Sequence, residues 1–535
     1  AAIPKGGSAS RGMRDVKRHS TQLVCREFGD GRSGPPFFQS LLQIKESFVR
    51  LDIRRSILAL AIAAGTATPV AIQAQATDAW AVSSWGGTLM AGAQEIPMVF
   101  HVTRAEDGSL TGTLDVQGVS MPLTTVTAEG SMLTMTFPVP GGGTYVGPTD
   151  DSGDALEGTF TQAGQSFPMK LERTEGGAPE PPLRPQEPKG PFPYGVQEVT
   201  FTNDEAGITL AGTITMPDGE GPFPGAILVS GSGPQDRDET LLGHKPFWVL
   251  ADHLARQGVA ALRYDDRGIA ESEGDFATAT SRDFASDALA AVQALAAQPN
   301  VAAAEVGIIG HSEGGLVGPM AASQSSSVGF VVMLAGPGVT GLEILTEQGR
   351  LINEAAGASS EVTAMNTRIQ NVLAEIVKNE PDPDVAAPLM KAAMQAEFDG
   401  LSPELKSAAG EGLSQGVIDQ TIQQLNTPWF RFFFEYDPRP ALESMTAPVL
   451  SLIGGNDLQV PYQQNMPEIE AAFSRSGHND ATVRMLPGLN HLFQESETGS
   501  PSEYQNIEQT FSPEALDIVS SWIRERFSGT SISDR

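Results

Sequence analysis

Beyond Tyr194, short apolar segments typical of strands alternate with segments of helical periodicity, and this alternation constrains the fold more than any other feature. Apolar runs at 226–229, 306–309 and 449–453 have the length of buried strands. A helical pattern at 281–297 is one of those that separate them. Strands separated by helices pair in parallel through crossover connections. The sequence therefore predicts an α/β domain over 195–527 with a mostly parallel sheet.

Composition limits the classes of partner and cofactor. The 535 residues predict about three domains, and the 40 % hydrophobic content supplies large cores. A formal charge of −31 argues against nucleic acid or an anionic membrane surface as the main partner, since both require a basic face. The single cysteine, Cys25, excludes an intramolecular disulfide framework and any Cys-rich metal site. None of the seven histidines has a partner at metal-ligand spacing, and no phosphate-binding glycine motif occurs, so we expect neither a metal nor another cofactor.

Residues 51–76 have the pattern of a secretory signal peptide. Arg54-Arg55 precedes an uncharged apolar run that ends in Ala74-Gln75-Ala76, which suits a signal peptidase. The run is too short and too often interrupted for the alternative, a membrane span of about 20 residues. We therefore expect an exported bacterial protein, periplasmic or secreted, with no membrane span after cleavage. We interpret residues 1–50 as upstream translated sequence or expression-vector sequence, with Leu51 marking a non-Met start.

Residues 78–173 have the pattern of an all-β domain. Short runs of alternating apolar residues recur there with turn residues between them, which is typical of a sandwich or barrel. We expect a structural accessory domain, although binding of a carbohydrate or a partner stays an alternative. His101 alternates with apolar neighbours and is predicted to lie on the surface of a strand. The following stretch, 174–194, contains seven prolines and is predicted to be a semi-rigid linker.

A serine between two glycines follows the predicted strand at 306–309, in the run Gly310-His311-Ser312-Glu313-Gly314. Glycines two residues before and after the serine suit a strand-to-helix turn that is too tight for side chains. A serine in an ordinary turn is the alternative, but a helical pattern follows at 316–322. The context therefore favours a nucleophile elbow with Ser312 as the nucleophile.

A serine hydroxyl is a weak nucleophile unless a histidine takes its proton and an acid orients that histidine. In enzymes with this elbow, the acid and the histidine follow the serine in the chain. Only His478 and His491 follow Ser312. His491 lies in a loop just after the predicted strand at 481–486, whereas His478 lies in a polar stretch before it. We therefore predict His491 as the general base.

The predicted acid is Asp457. It lies in a glycine-rich loop that follows the predicted strand at 449–453. An aspartate at that edge of the sheet can reach an imidazole in the loop after the next strand. The alternative is that Asp457 only caps its own turn.

The loop after the strand at 226–229 is the predicted oxyanion hole. Its small residues leave backbone N–H groups free to face a pocket. We expect the N–H groups of Glu313 and Ser232 to stabilise the oxyanion. Gly231 is the alternative to Ser232, and the side chains do not decide between them.

These motifs resemble those of the α/β-hydrolase superfamily, and more narrowly those of exported bacterial esterases. The resemblance rests on the run Ser230 to Asp238, on Tyr264-Asp265-Asp266-Arg267-Gly268 and on the elbow, and it covers roughly residues 190–527. It implies an α/β-hydrolase fold with a mostly parallel eight-stranded sheet and an inserted cap. The β domain and the proline-rich stretch resemble the N-terminal extension of such esterases. Relatives are described as carboxylesterases, as serine aminopeptidase-like proteins and as acyl-CoA thioester hydrolase-like proteins, so the resemblance indicates the chemistry better than the substrate.

Two charged clusters lie beside the predicted oxyanion hole, at 236–238 and 264–267. They could bind substrate. We favour the other interpretation, an ion-pair network that fixes the two loops.

Residues 338–446 separate two predicted strands and have helical periodicity, which predicts a helical cap over the active site. Near the end of this insertion, residues 429–436 hold six aromatics in eight positions, although the whole chain is only 7 % aromatic. An apolar acyl pocket and packing of the cap on the core explain this cluster equally well. The candidate pocket residues are Trp429, Phe430, Phe432, Phe433 and Phe434.

The predicted function is hydrolysis of carboxylic esters, with short- to medium-chain acyl groups, through an acyl-enzyme on Ser312. The expected partner is a small-molecule ester. An exported peptidase or aminopeptidase, or an acyl thioesterase, would use the same three side chains. Outside enzymes, the alternative is a cell-envelope binding protein with an inert hydrolase fold. The sequence leaves the oligomeric state open.

Overall fold

The computed structural model describes residues 79–174, 184–402 and 415–527, with short gaps in the first of these ranges at 92–93, 106–107, 117–118, 138–142, 151 and 163–164. Residues 1–50 and the predicted signal peptide at 51–76 lie outside the described residues. Export therefore stays a prediction. In the described part of the chain, no helix combines the length and the apolar character that crossing a membrane requires.

The N-terminal region is a nine-stranded antiparallel sheet that follows a short 3₁₀ helix at Ala79–Ala81. Its strands run in the order β4-β3-β2-β1-β9-β8-β7-β6-β5. Buried and less buried positions alternate along them, and the buried side chains include Trp85, Phe100 and Tyr145. The strands are β1 (Ser84–Ala91), β2 (Gln94–Arg104), β3 (Leu110–Val116), β4 (Val119–Pro122), β5 (Thr125–Glu129), β6 (Met132–Phe137), β7 (Gly143–Pro148), β8 (Ala155–Gln162) and β9 (Gln165–Thr174).

The second sheet has eight strands in the order β10-β11-β13-β12-β14-β15-β16-β17. β10 and β11 pair antiparallel, β11 and β13 do the same, and the pairs from β13 to β17 are parallel. The strands are β10 (Gly195–Asn203), β11 (Ile208–Met216), β12 (Phe223–Val229), β13 (Ala260–Tyr264), β14 (Val301–His311), β15 (Val331–Leu334), β16 (Val449–Gly454) and β17 (Ala481–Leu486).

Helices cover this sheet on both faces. Every residue of β13, β15 and β16 is therefore buried, and these strands have continuous apolar runs rather than an alternating pattern. Two apolar clusters fill the layers between helices and sheet. The helices that cover the two faces of the sheet are α1 (Pro246–Arg256), α2 (Ser281–Ala296), α3 (Gly314–Gln324), α10 (Tyr462–Ser476) and α11 (Pro513–Phe527).

The segment between β15 and β16 is helical in its described part, at the place where the sequence predicts a cap. Its helices have an apolar core of their own, with buried Ile369, Met390 and Phe430 among its members. Leu345 and Trp429 pack against both this core and that of the sheet, so the two cores are continuous there. The helices are α4 (Gly341–Ala355), α5 (Ser360–Asn379), α6 (Pro383–Asp399), α7 (Gln415–Leu425), α8 (Pro428–Glu435) and α9 (Arg439–Ser444).

The second half of the proline-rich stretch, 184–194, is held against the α/β region. Gln186 accepts hydrogen bonds from the N–H groups of Thr510 and Phe511, and its amide donates to the Phe511 carbonyl. Arg184 donates to the carbonyls of Gln505 and Ile507. The proline content that predicts a linker over 174–194 gives no sign of these contacts, because they depend on residues more than 300 positions away.

Candidate active site

Ser312 lies at the turn between β14 and α3 and has the backbone conformation of a nucleophile elbow. Its φ is +54°, in the left-handed region that a non-glycine residue rarely adopts. A Cβ at Gly310 would lie 1.9 Å from the Gly314 carbonyl oxygen, and one at Gly314 would lie 2.1 Å from the Val229 carbonyl oxygen. The sequence Gly-x-Ser-x-Gly is therefore required sterically, and the strain is confined to the serine.

His491 and Asp457 form a buried pair, with 5 % and 3 % of their surfaces exposed. His491 Nδ1 lies 2.9 Å from Asp457 Oδ2. Asp457 Oδ1 accepts hydrogen bonds from the N–H groups of Gln459 and Val460, both at 2.8 Å. A carboxylate with those two donors on one oxygen accepts the Nδ1 proton on the other, which leaves His491 Nε2 as a base.

The topology brings the loops of Ser312, Asp457 and His491 to one edge of the sheet. They follow β14, β16 and β17, and the carboxyl ends of parallel strands meet at the same edge. His311, next to Ser312, donates from Nε2 to the His491 carbonyl oxygen at 3.0 Å. No hydrogen bond joins the Ser312 hydroxyl to His491 within the described residues; such bonds are often long without substrate and tighten when it binds.

The loop of Ser230 to Gly233 runs beside the elbow, as expected for an oxyanion hole. Gly231 is close enough that a Cβ there would lie 3.2 Å from Ser312 Cβ. Its N–H donates to Glu239 Oε1 at 2.7 Å. The N–H groups of Ser232 and Glu313 donate to no acceptor among the described residues. Of the two alternatives that the sequence leaves open, the geometry therefore favours Ser232 over Gly231.

The Glu313 side chain links the elbow to the cap. Its carboxylate is 3 % exposed and accepts hydrogen bonds from the Ser281 hydroxyl at 2.5 Å and from Trp429 Nε1 at 2.7 Å. Burial raises the pKa of Glu313, and the hydrogen bonds from Ser281, Trp429 and the Ser232 side chain oppose that rise. One carboxylate thus contacts the start of α2, the cap helix α8 and the predicted oxyanion loop.

The other candidate pocket residues divide between packing and partly exposed positions. Phe430 is buried in the cap core, and Phe433 is buried in the core of the sheet, where its ring stacks on that of Trp429. Phe432 is partly exposed and stacks on Tyr436. Phe434 lines a small, mainly apolar cavity of about 20 Å³ between the cap helices.

Ion pairs join the two charged loops beside the predicted oxyanion hole. Arg237 donates to both oxygens of Asp265, and Arg263 pairs with Asp238. Asp266 accepts from the Ser230 hydroxyl at 2.8 Å, and burial raises its pKa well above the ordinary value. These contacts confirm the ion-pair network that the sequence predicts.

Glu239 is the residue of this region that sequence reasoning misses. It lies one position beyond the motif Ser230 to Asp238, is 3 % exposed, and places Oε1 2.8 Å from His311 Nδ1. Its φ of +52° shows that the loop takes a strained conformation here. The only signal was His311 in the variable position of the elbow, and nothing in the spacing connects that histidine to residue 239.

A comparison with protein-family models assigns residues 226–503, slightly more than half of the chain, to a family described as "Alpha/beta hydrolase family". The chain belongs to the alpha/beta hydrolase family. The matched range includes the elbow, the loop of Asp457 and His491. The α/β-hydrolase fold that the sequence predicts is thereby confirmed.

One curated protein and several solved structures are similar to this chain. Esterase EstD of Thermotoga maritima is 28 % identical over 315 residues, which are 59 % of this chain and 65 % of EstD, so the match spans less than two thirds of that relative. Among solved structures, the Pyrococcus furiosus esterase Pf2001 is 14 % identical, with a TM-score of 0.38, over 65 % of this chain and 99 % of its own. Est1E of Butyrivibrio proteoclasticus, solved with ferulic acid, is 17 % identical, with a TM-score of 0.33, over 62 % of this chain and 98 % of its own.

The described residues offer no group of three or more His, Cys, Asp or Glu side chains that could hold a metal ion. The groups that the structure brings to this edge of the sheet are a serine hydroxyl, an imidazole in contact with a carboxylate, and backbone N–H groups.

Proposed function

We propose that this protein is a serine esterase, with Ser312 as nucleophile, His491 as general base and Asp457 as the acid that orients His491. The observation that carries the proposal is the meeting, at one sheet edge, of a strained Ser312 and a buried His491–Asp457 hydrogen bond. The similarity to esterase EstD over 315 residues supports an ester as the substrate.

Acylation would begin when Ser312 Oγ attacks the carbonyl carbon of the ester while its proton passes to His491 Nε2. The carbonyl π bond opens, and the negative charge collects on the carbonyl oxygen. Asp457 stabilises the imidazolium that forms on His491, because its Oδ2 accepts the Nδ1 proton. When the tetrahedral intermediate collapses, His491 returns the proton to the leaving alcohol and the acyl group stays on Ser312.

Deacylation would repeat these steps with water as the nucleophile. His491 takes a proton from water, the hydroxide adds to the acyl carbon, and the bond to Ser312 Oγ breaks. The carboxylic acid leaves and the serine regains its proton.

The oxyanion of both steps would lie against the N–H groups of Ser232 and Glu313. Removing one such donor typically costs about 2.7–4 kcal/mol of transition-state stabilisation.

We propose that the acyl group is short to medium in length and contacts aromatic side chains of α8. Trp429 is the best placed, since its indole N–H donates to Glu313, the residue next to Ser312. Phe432 and Phe434 are partly exposed on the same helix, whereas Phe430 and Phe433 are buried in packing.

The test is hydrolysis of p-nitrophenyl acetate and butyrate by the wild type and by Ser312→Ala. We expect the variant to lose activity by about 10⁶-fold in kcat, because the nucleophile is gone, while its melting temperature stays close to that of the wild type, because alanine keeps the Cβ and removes only the hydroxyl. Wild-type activity in that variant would overturn the assignment. A panel of acyl thioesters and aminoacyl amides, assayed in parallel, decides between the esterase and the two alternatives that use the same triad.

A further inference from the structure

Glu239 and His311 form a buried pair behind the catalytic residues, and it contacts three loops at once. Their side chains are 5 % and 8 % exposed. Glu239 Oε1 contacts His311 Nδ1 at 2.8 Å and accepts the Gly231 N–H at 2.7 Å. His311 Nε2 contacts the His491 carbonyl oxygen at 3.0 Å. The pair therefore connects the predicted oxyanion loop, the elbow and the loop of His491.

Hydrogen-bond accounting fixes the number of protons in this pair. A backbone carbonyl only accepts, so His311 Nε2 must carry a proton. Glu239 Oε1 uses one lone pair for the Gly231 N–H. At 2.8 Å the contact between Nδ1 and Oε1 needs one further proton, and the imidazole, the stronger base of the two, holds it as Nδ1–H against the carboxylate. Without it, two lone pairs would face each other in a buried space.

The surroundings favour retention of that proton through neutral pH. Burial alone lowers the pKa of His311, but the charge and the hydrogen bond of Glu239, aided by the His491 carbonyl and the charge of Asp457, raise it overall. The other ionisable neighbours are His491 itself, whose ring centroid lies 4.9 Å from that of His311, and Glu313 in the elbow.

We propose that His311 and Glu239 share one proton through neutral pH, and that this pair positions the oxyanion loop and His491 for catalysis. The inference rests on the proposed esterase function. His311 and Glu239 are positioning residues, since the atoms they contact belong to Gly231 and His491 rather than to the substrate. When the proton leaves at alkaline pH, Nδ1 and Oε1 repel each other and a buried carboxylate loses its partner. The Gly231–Ser232 segment and His491 then shift, and activity falls.

The first test is independent of activity and uses imidazole ¹H–¹⁵N NMR of the full chain carrying Ser312→Ala, from pH 5 to pH 10. The His311 signals are assigned by their loss in a second variant, His311→Asn. We expect both ring N–H signals of His311 to persist well above pH 6.5, the ordinary pKa of histidine. In Glu239→Gln the carboxylate that holds the proton is gone, and burial then outweighs the remaining support from the His491 carbonyl and the charge of Asp457, so the Nδ1 signal should be lost at a lower pH than in the protein with Glu239.

The second test compares pH profiles of kcat/KM. The alkaline limb of the wild type should coincide with the loss of the His311 Nδ1 signal. At pH 7.5, Glu239→Gln should lower kcat by about 10- to 100-fold, a size that small misplacements of catalytic groups produce, with KM changed less than about threefold. Glu239→Asp, which keeps the charge, should restore part of the loss. Asp236→Asn is the matched control, because the Asp236 side chain caps the same loop through the N–H groups of Asp238 and Thr240, whereas only its backbone carbonyl, which the substitution keeps, contacts Glu239.

The outcomes separate this inference from the proposed function. An active esterase whose His311 shows one N–H and titrates near pH 6.5 would overturn the shared proton. An active Glu239→Gln variant with the wild-type pH profile would overturn the positioning role. A wild type that keeps both signals but hydrolyses no ester would overturn the proposed function and still support the shared proton.

Discussion

Asp457 uses its two carboxylate oxygens for different tasks. Oδ1 accepts two backbone N–H groups of its own loop, and Oδ2 accepts the proton of His491 Nδ1. The first two bonds fix the carboxylate, so that the third can fix the tautomer and the direction of the imidazole. An acid that only capped its turn would not need the contact with His491.

We expect Asp457→Asn to separate these tasks. The amide oxygen can still accept from Gln459 and Val460, but the amide N–H₂ then faces His491 Nδ1 and favours the tautomer with the proton on Nε2, which cannot act as a base. kcat should fall by about 10⁴-fold, as for comparable substitutions in serine hydrolases. The measurement is steady-state hydrolysis of p-nitrophenyl butyrate beside thermal unfolding. A variant with a tenth or more of wild-type kcat would show that Asp457 does not orient the base.

Among the site residues, the sequence predicts those that the order of the motifs along the chain and the small number of histidines determine. Two histidines follow Ser312, and the position of each relative to the strand at 481–486 selects His491, which the structure places in contact with Asp457. Glu239 is different. Its partner His311 lies 72 positions away, and their contact exists only because the loop after β12 folds against the end of β14. No local pattern contains that information.

The cap helix α8 both packs into the apolar cores and contacts the elbow. Its N-cap Thr427 accepts from the Phe430 N–H, and proline at its first position fits the first turn. Phe430 and Phe433 are buried, while Trp429 reaches Glu313. The sequence leaves packing and an acyl pocket equally open for these aromatics. The structure assigns Phe430 and Phe433 to packing, and the proposed acyl contact involves the other aromatics of the helix.

This division predicts unequal effects of truncating two neighbouring phenylalanines. Phe433→Ala should lower the free energy of unfolding by about 3–5 kcal/mol, the usual cost of emptying a buried phenylalanine site, without changing the preference for acyl length. Phe432→Ala is the matched control, because that side chain is partly exposed and should cost much less. Urea denaturation and kcat/KM for p-nitrophenyl esters of two to eight carbons test both. A loss below about 1 kcal/mol for Phe433→Ala would place its side chain in a pocket rather than in the core.

Helix α3 shows why element boundaries are harder to predict than element types. Its periodic pattern begins at Leu316, but the helix begins at Gly314 and contains Gly315 and Pro319, all poor helix formers. All three are buried against the sheet. Tertiary packing outweighs local propensity here, because only glycine fits where α3 starts beside the Val229 carbonyl. Conversely, strand β17, which has turn residues on both sides, begins and ends where the sequence predicts.

For the molecule as a whole, the alternation of strands and helices predicts the α/β architecture, and the motifs at the ends of the strands carry the resemblance to the family. Contacts between distant segments are not predictable in this way. The hydrogen bonds that Arg184 and Gln186 form with residues 505–511 are one example. A proline-rich composition predicts that a segment is stiff, but it does not predict which residues the segment contacts.

The molecule also contains a second set of the three catalytic residue types, in the β domain. Ser84 Oγ lies 2.8 Å from His101 Nδ1, and His101 Nε2 lies 2.9 Å from Asp115 Oδ2. These residues lie on β1, β2 and β3, and β1 pairs with neighbouring strands on both sides at Ser84. Ser84 therefore lacks the elbow and the adjacent N–H groups that would stabilise an oxyanion. The proposal attributes catalysis to Ser312 and gives Ser84 no role.

Labelling with a fluorophosphonate probe tests this distinction most directly, because such a probe bonds to an activated serine. The native protein is labelled and digested, and the modified residue is identified by mass spectrometry, with Ser312→Ala treated in parallel. The account predicts one adduct on Ser312, none on Ser84, and no adduct in the variant. An adduct on Ser84 or on another serine, or ester hydrolysis by a protein that takes no label at Ser312, would contradict it.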